Sequence, residues 1–261
     1  YHSTSNAQIQ VTIFSDGTFS HAEVVDADDA KTIIPVTEDS GSRGNGILPN
    51  PLCDKLIYIA GDYSTYVAKA KSDADEYFVT YIKALKAWAE SEYSDICITA
   101  IYDYLSKRML INDLIGDGIL KLKGAVLDEE YKITKSAKQI DSFVRFVVND
   151  LHSGENIKVW KSKALFDKYI AYYEALGKER DCQLCYASGK IVPVTYKHMA
   201  RIRNGGDKAK LISSNDKSNF TYRGRFANRE EAFAVGEIVS QKAHLALKWL
   251  IKTGGISVGD E

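Results

Sequence analysis

Nowhere in these 261 residues does an apolar run approach the roughly 18 positions that a membrane-spanning helix needs, and no charged-then-apolar segment opens the chain. The expectation is a chain that stays out of the membrane, in the cytoplasm. Cysteine is scarce: Cys53, Cys97, Cys182 and Cys185 are the only four, too few in a chain of this size for a disulfide scaffold. Reduced thiols fit the same compartment. The phosphate-cradling pattern Gly-x-x-x-x-Gly-Lys-Ser/Thr is missing, and residues 203–208 (RNGGDK) are glycine-rich without that ending, which excludes a P-loop nucleotide site at the level of motif. None of His2, His21, His152 and His244 stands at a spacing that suggests a metal site or a triad. Internal repeats and low-complexity tracts are absent, and 45% hydrophobic with 26% charged residues excludes a disordered chain.

What is present is a concentration of positive charge. Residues 197–229 (KHMARIRNGGDKAKLISSNDKSNFTYRGRFANR) hold Lys197, Arg201, Arg203, Lys208, Lys210, Lys217, Arg223, Arg225 and Arg229 against Asp207 and Asp216. The local balance is +7 inside a chain whose total is −1. Gly205, Gly206 and Gly224 allow close backbone approach, Ser213, Ser214, Asn215, Ser218, Asn219 and Thr221 add short hydrogen-bonding groups, and Phe220, Tyr222 and Phe226 add flat faces. Cations for phosphate, amides for sugar or base edges and rings for stacking make a nucleic-acid surface; a solvated basic loop with an ordinary hairpin has the same composition.

The hydrophobic pattern predicts an α+β fold, a mixed and mainly antiparallel sheet with packed helices. Residues 9–14 (IQVTIF) and 19–25 (FSHAEVV) alternate around Asp16-Gly17 and read as a hairpin. Three glycines and two prolines in residues 41–51 exclude a helix interior there. Residues 73–92 place Phe78, Ile82, Leu85 and Ala89 at helical spacing, with Asp73 and Asp75 at the N-terminal end. Residues 95–115 continue as a second helix, so that 69–127 reads as a helical layer within one domain, 1–261. Residues 121–132 are ambiguous between strand and loop, and 142–149 (SFVRFVVN) read as a strand. Residues 162–176 form an amphipathic helix with Gly177 at its C-terminal end. Short strands are expected at 210–213 and 219–223. A long helix over 228–251, capped by Asn228 with Glu231 three residues on, closes the chain before Gly254-Gly255.

Three places carry candidate chemistry. Cys182-Gln-Leu-Cys185 followed by His198 begins like a zinc ligand set, but Ile202, Arg203 and Asn204 stand where a second histidine would fall, and tetrahedral zinc needs four ligands; free thiols in a packed turn are the expectation. Asp128, Glu130 and Lys132 spell the tail of a magnesium nuclease site, or a solvated charge cluster. In the loop 41–51, Arg43 has the reach for guanine O6 and N7 or a phosphate. Asn45 and Asn50 suit adenine edges or groove acceptors, on a backbone opened by Gly44. The same loop also reads as a structural turn fixed by Pro49 and Pro51.

Four segments, KLISSNDKSNFTYRGRF (210–226), VGEIVSQKAHLALKWLI (235–251), SRGNGILPNPLCDKLIYIAGD (42–62) and VWKSKALFDKYIAYYEAL (159–176), resemble the large, Csd-type subunit of the subtype I-C CRISPR interference complex, Cascade. Pro51, Cys53 and Lys55 depart from the family pattern, so the carry-over rests on Arg43 and Asn45 more than on Asn50 or Asp54. The resemblance implies a non-catalytic binding protein without cofactor or metal, the N-terminal portion of a longer subunit lacking a few leading residues. It implies recognition of the protospacer-adjacent motif of double-stranded target DNA by Arg43, Gly44, Asn45 and Asn50. Phosphate contacts would come from Lys208, Lys210, Arg223 and Arg225, with Asn215, Asn219 and Tyr222 beside them. The implied partners are CRISPR RNA, other Cascade subunits and a recruited helicase-nuclease. A metal-dependent nuclease on Asp128, Glu130 and Lys132, and a protein-docking module without nucleic-acid affinity, are the alternatives.

Overall fold

A computed structural model describes residues 1–41, 46–135, 137–177, 182–196, 198–200, 202–203, 211–212 and 225–254, with backbone alone at 229, 230 and 252. The fold is α+β, with mixed and antiparallel sheets and packed helices. The chain divides into two compact units, the larger made of His2–Pro35 and Asn45–Tyr172, the smaller of Tyr1, Val36–Gly44 and Tyr173–Glu261.

The larger unit is built on a four-stranded sheet. Ile9–Phe14 pairs antiparallel with Phe19–Val24 and parallel with Val144–Asn149, which pairs antiparallel with Asn156–Lys158. The hairpin turns at Gly17, whose φ of +76° is left-handed backbone that suits glycine. An added Cβ there would also lie 2.9 Å from the Asp103 Cβ. Apolar alternation buries Ile9, Val11, Ile13, Val144, Phe146 and Val148, yet the other face of both central strands is buried too, with Gln10, Thr12 and Arg145. Arg145 is tolerated because every side of its guanidinium is used. Nε donates to Gln10 Oε1 (3.0 Å), Nη1 to the Asp29 carbonyl (2.6 Å) and Nη2 to the Asp29 carboxylate (2.5 Å), while the plane lies 3.8 Å over the Trp160 ring. The charge network explains how a charged residue is buried on the face that strand alternation sets opposite the apolar layer.

The helix expected over 73–92 runs Ala74–Ala89. Its buried face is Tyr77, Phe78, Tyr81, Leu85 and Trp88, displaced from the expected Ile82 and Ala89. Tertiary partners make the difference: Tyr81 donates to the Leu52 carbonyl (2.8 Å), and Trp88 stacks on Tyr172 at 5.8 Å. The second expected helix is broken into Ile96–Ser106 and Leu110–Gly116, with Arg108 at φ 57° between them. The buried carboxylate of Asp62 accepts the N–H groups of Ile111 (3.2 Å) and Asn112 (3.0 Å) and so opens a new helix at that point. Residues 121–132 contain a two-residue hairpin, Leu122–Lys123 with Val126–Leu127. Lys163–Gly177 is the amphipathic helix, its first turn capped by Ser162, which accepts Leu165 N–H at 3.3 Å.

His2, in the strand His2–Asn6 paired with Lys31–Pro35, packs on Phe166 (4.6 Å) and Tyr169 (5.7 Å), and its buried Nε2 has no hydrogen-bond partner. Desolvation among these rings is the main reason its pKa is lowered to about 4. Between about 4 and the ordinary 6.5 the unfolded chain binds a proton that the folded chain does not, so stability rises with pH across that window and is lost as pH falls through it. Urea unfolding at pH 7 and at pH 5 is expected to show a smaller loss of stability for His2→Phe than for the native chain; an equal loss in both would assign the acid sensitivity elsewhere.

In the smaller unit Cys182–Leu184, Ile191–Thr195 and Val235–Gly236 form an antiparallel three-stranded sheet with Ile191–Thr195 at its centre. The single closing helix expected over 228–251 is instead a one-turn helix, Arg229–Ala232, then the strand Val235–Gly236, then the helix Glu237–Gly254. The cap itself is where the spacing places it: Asn228 Oδ1 accepts Glu231 N–H (2.9 Å), and the Glu231 carboxylate accepts Ala227 N–H (3.3 Å). The interruption comes from sheet pairing at Gly236, where an added Cβ would lie 2.9 Å from a Val192 methyl. No helix among the described residues is long and apolar enough to cross a membrane.

Candidate nucleic-acid interface

The loop 41–51 leaves the smaller unit at the short helix Glu38–Gly41. Thr37 and Ser40 cap its first turn reciprocally, Ser40 N–H donating to Thr37 Oγ1 (3.0 Å) and Thr37 N–H to Ser40 Oγ (2.9 Å). Tyr173 Oη accepts Glu38 N–H (3.0 Å), and the Glu38 carboxylate accepts the Thr195 hydroxyl. Arg43, Gly44 and Asn45 lie outside the described residues. Gly46, at φ +100°, is the first described residue beyond them.

The far end of the loop is set into the larger unit. Asp54, fully buried, turns the chain around its carboxylate: Oδ2 accepts Asn50 N–H at 2.7 Å and Oδ1 accepts Lys55 N–H at 2.8 Å. The Asp54 carbonyl accepts Val144 N–H (3.0 Å) and Leu56 N–H donates to the Ser142 carbonyl (3.0 Å), so the segment is stitched to the central strand. Burial pushes the neighbouring Cys53 thiol up to about 12 and leaves it inert. Asn50 is 6% exposed. Asp54 is the residue that reasoning from sequence undervalued, because its partners are backbone N–H groups that no motif displays.

The basic stretch is flanked by two strands that pair with each other. It departs after Ile191–Thr195 and returns as Val235–Gly236, with Thr195 opposite Val235 and Val194 opposite Gly236. Its first residues are anchored: Met199 and Ile202 are buried, and His198 Nδ1 shares a 2.8 Å hydrogen bond with Ser240 Oγ while its ring stacks on His244 at 5.9 Å. Cys185 fastens the same corner. Burial raises its thiol, but hydrogen bonds from the Ser188 side chain and from the N–H groups of Gly236, Ser188 and Ala187 outweigh that and lower it to about 7.

Of the cations in the stretch, Arg203 and Arg225 are described and both are exposed. The Arg225 guanidinium lies 5.4 Å from the Phe226 ring centre, a flat cationic pair of the kind that stacks on bases. Lys208, Lys210, Asn215, Asn219, Tyr222 and Arg223 lie outside the described residues, as do all but Leu211 and Ile212 of the two strands expected there; those two are not in a strand.

A small cleft beside Gly41 is lined by Thr37, Glu38, Thr195, Glu237, Ser240 and Gln241 with Val36, Met199 and Leu245. Two carboxylates in its wall make it a poor site for phosphate. The zinc arrangement is not assembled: Cys182 is exposed on its strand, Cys185 is buried and bonded as above, and His198 faces Ser240. The nuclease triplet is likewise dispersed into local bonds, with Glu130 paired to Lys138 at 2.9 Å and Asp128 accepting Glu130 N–H at 3.0 Å. Among the described residues no three His, Cys, Asp or Glu side chains gather as a metal would require.

A family model described as CRISPR-associated protein (Cas_Csd1) matches residues 1–261. No curated protein matches the chain.

Proposed function

The chain belongs to the Cas_Csd1 family of CRISPR-associated proteins, and on that premise we propose that it is a non-catalytic, nucleic-acid-binding component of a type I-C Cascade complex. In this reading it recognises the protospacer-adjacent motif of double-stranded target DNA through the loop 41–51. It contacts the CRISPR RNA and sibling subunits, and leaves cutting to a recruited helicase-nuclease in the cytoplasm. The observation that carries it is the segment 196–234, flanked by the paired strands Ile191–Thr195 and Val235–Gly236, whose sequence concentrates the chain's positive charge. Such a complex needs its protein to read only a short duplex flank, because guide pairing reads the rest. A total charge of −1 is compatible with this, since one local field steers a polyanion.

The test is fluorescence anisotropy with duplexes carrying a randomised three-base flank at two salt concentrations. Lys208→Ala with Lys210→Ala is expected to weaken binding to every flank and to make the dependence of log affinity on log salt shallower by about 2, roughly one unit for each phosphate that is no longer neutralised. An unchanged slope would remove the phosphate role from these two lysines. Absence of any binding would favour a docking module for another protein.

A further inference from the structure

The helix Glu237–Gly254 has its amphipathic sides reversed. Glu237, Ser240 and His244, three and four positions apart, are buried on one side. Ser240 Oγ shares a hydrogen bond with His198 Nδ1 (2.8 Å), the His244 ring stacks on His198 at 5.9 Å, and His244 Nδ1 donates to the Ser240 carbonyl (2.6 Å). This polar side seats the helix in the smaller unit. The opposite side is apolar and open: Ile238, Trp249 and Leu250 are 40%, 64% and 56% exposed, and Ala243 and Ala246 between them are exposed too. Helical spacing sets these residues on one face. No described side chain beyond His244 is buried.

Single exposed apolar residues are ordinary on a protein surface, but a contiguous stripe marks a contact. The two alanines let a second helix approach closely, and Trp249 beside them is of the residue type that most often anchors such contacts. Five side chains are far fewer than the roughly 20–30 residues a side of a stable two-chain interface. The stripe is therefore too small to hold a second copy of the chain by itself, and it suits one helix of a partner that other contacts also retain. Charge narrows that partner. From 238 to 254 the helix carries Lys242, Lys248 and Lys252 and no acid, and Lys242 stands exposed in line with Ile238 and Ala246 at four-residue spacing. A carboxylate on the facing helix complements that charge, and a cation there is repelled.

We infer that this stripe is the docking site for one helix of a sibling subunit of the CRISPR-associated complex, a helix with an aliphatic face and an acidic side chain placed to meet Lys242. The inference rests on the reading of the chain as a component of a multi-subunit complex, and it assigns that contact a surface.

The test reconstitutes the complex from this chain and its sibling subunits and reads incorporation by native mass spectrometry. Trp249→Glu/Leu250→Glu is expected to lower incorporation about tenfold or more, with an unchanged melting temperature because both side chains are exposed. Lys242→Glu is expected to weaken it severalfold, and more at low salt than at high salt. Amide hydrogen exchange across 238–250 is expected to slow in the assembled complex. Incorporation of the double variant equal to that of the native chain overturns the docking site alone, and a vesicle of phosphatidylserine that binds the native chain but not that variant then gives the stripe to a lipid surface. A native chain that does not enter the complex overturns the component reading and this inference together. Self-association of the native chain that is lost in the double variant, with incorporation intact, gives the stripe to a second copy and overturns it as a site for a sibling.

Discussion

Asp54→Ala is expected to cost about 3 kcal/mol of stability and to remove flank preference at the same time. The substitution deletes an acceptor that holds the N–H groups of Asn50 and Lys55 at 2.7 and 2.8 Å. Hydrogen bonds to a charged group contribute roughly 1.5–3 kcal/mol each, and a buried N–H left without a partner costs its desolvation. In a domain of this size about 3 kcal/mol corresponds to a fall in melting temperature of roughly 10 °C. Asp54→Asn retains one accepting oxygen and is expected to lose about half as much. Calorimetry of both variants checks the ranking. An alanine variant as stable as the native chain would mean that the loop exit is held by its neighbours' stitching to the central strand and not by the carboxylate.

Arg43→Ala is expected to act on discrimination instead of stability. A bidentate contact from arginine to a guanine edge contributes about 1–3 kcal/mol against the wrong base, so affinity for the preferred flank should fall roughly tenfold to a hundredfold while affinity for other flanks changes little. Asn45→Ala is expected to do the same at a different position of the flank. Asn50→Ala is expected to act through stability, because Asn50 is buried. Anisotropy on the randomised-flank duplexes separates these outcomes: a uniform loss across all flanks for Arg43→Ala would reduce it to a phosphate contact.

Local pattern carried a good part of the fold. The hairpin at 9–24, the central strand, the helices beginning at Ala74 and Lys163 and the Asn228 cap stand where alternation, 3.6-residue spacing and capping chemistry place them. Each depends on neighbours within a few positions in the chain. Where the pattern misled, a distant group intervened. The Asp62 carboxylate starts a new helix at Leu110, sheet pairing at Gly236 cuts the final helix, and the phenol of Tyr81 reaches the Leu52 carbonyl and turns its helix face.

The candidate site divides in the same way. Composition located the basic stretch and the glycine-rich loop, because charge density and backbone freedom are properties of residues counted along the chain. That the stretch is flanked by two strands paired with each other, that the Asp54 carboxylate holds the loop exit, and that Asp128, Glu129 and Glu130 are spent on backbone N–H groups and lysine, all depend on pairings between residues far apart or on opposite sides of a turn. A charge in a sequence has a sign and a place, but its partner is chosen by distance in space. For that reason residue types fix the sign and place of each charge along the chain, and packing determines which partner each one meets.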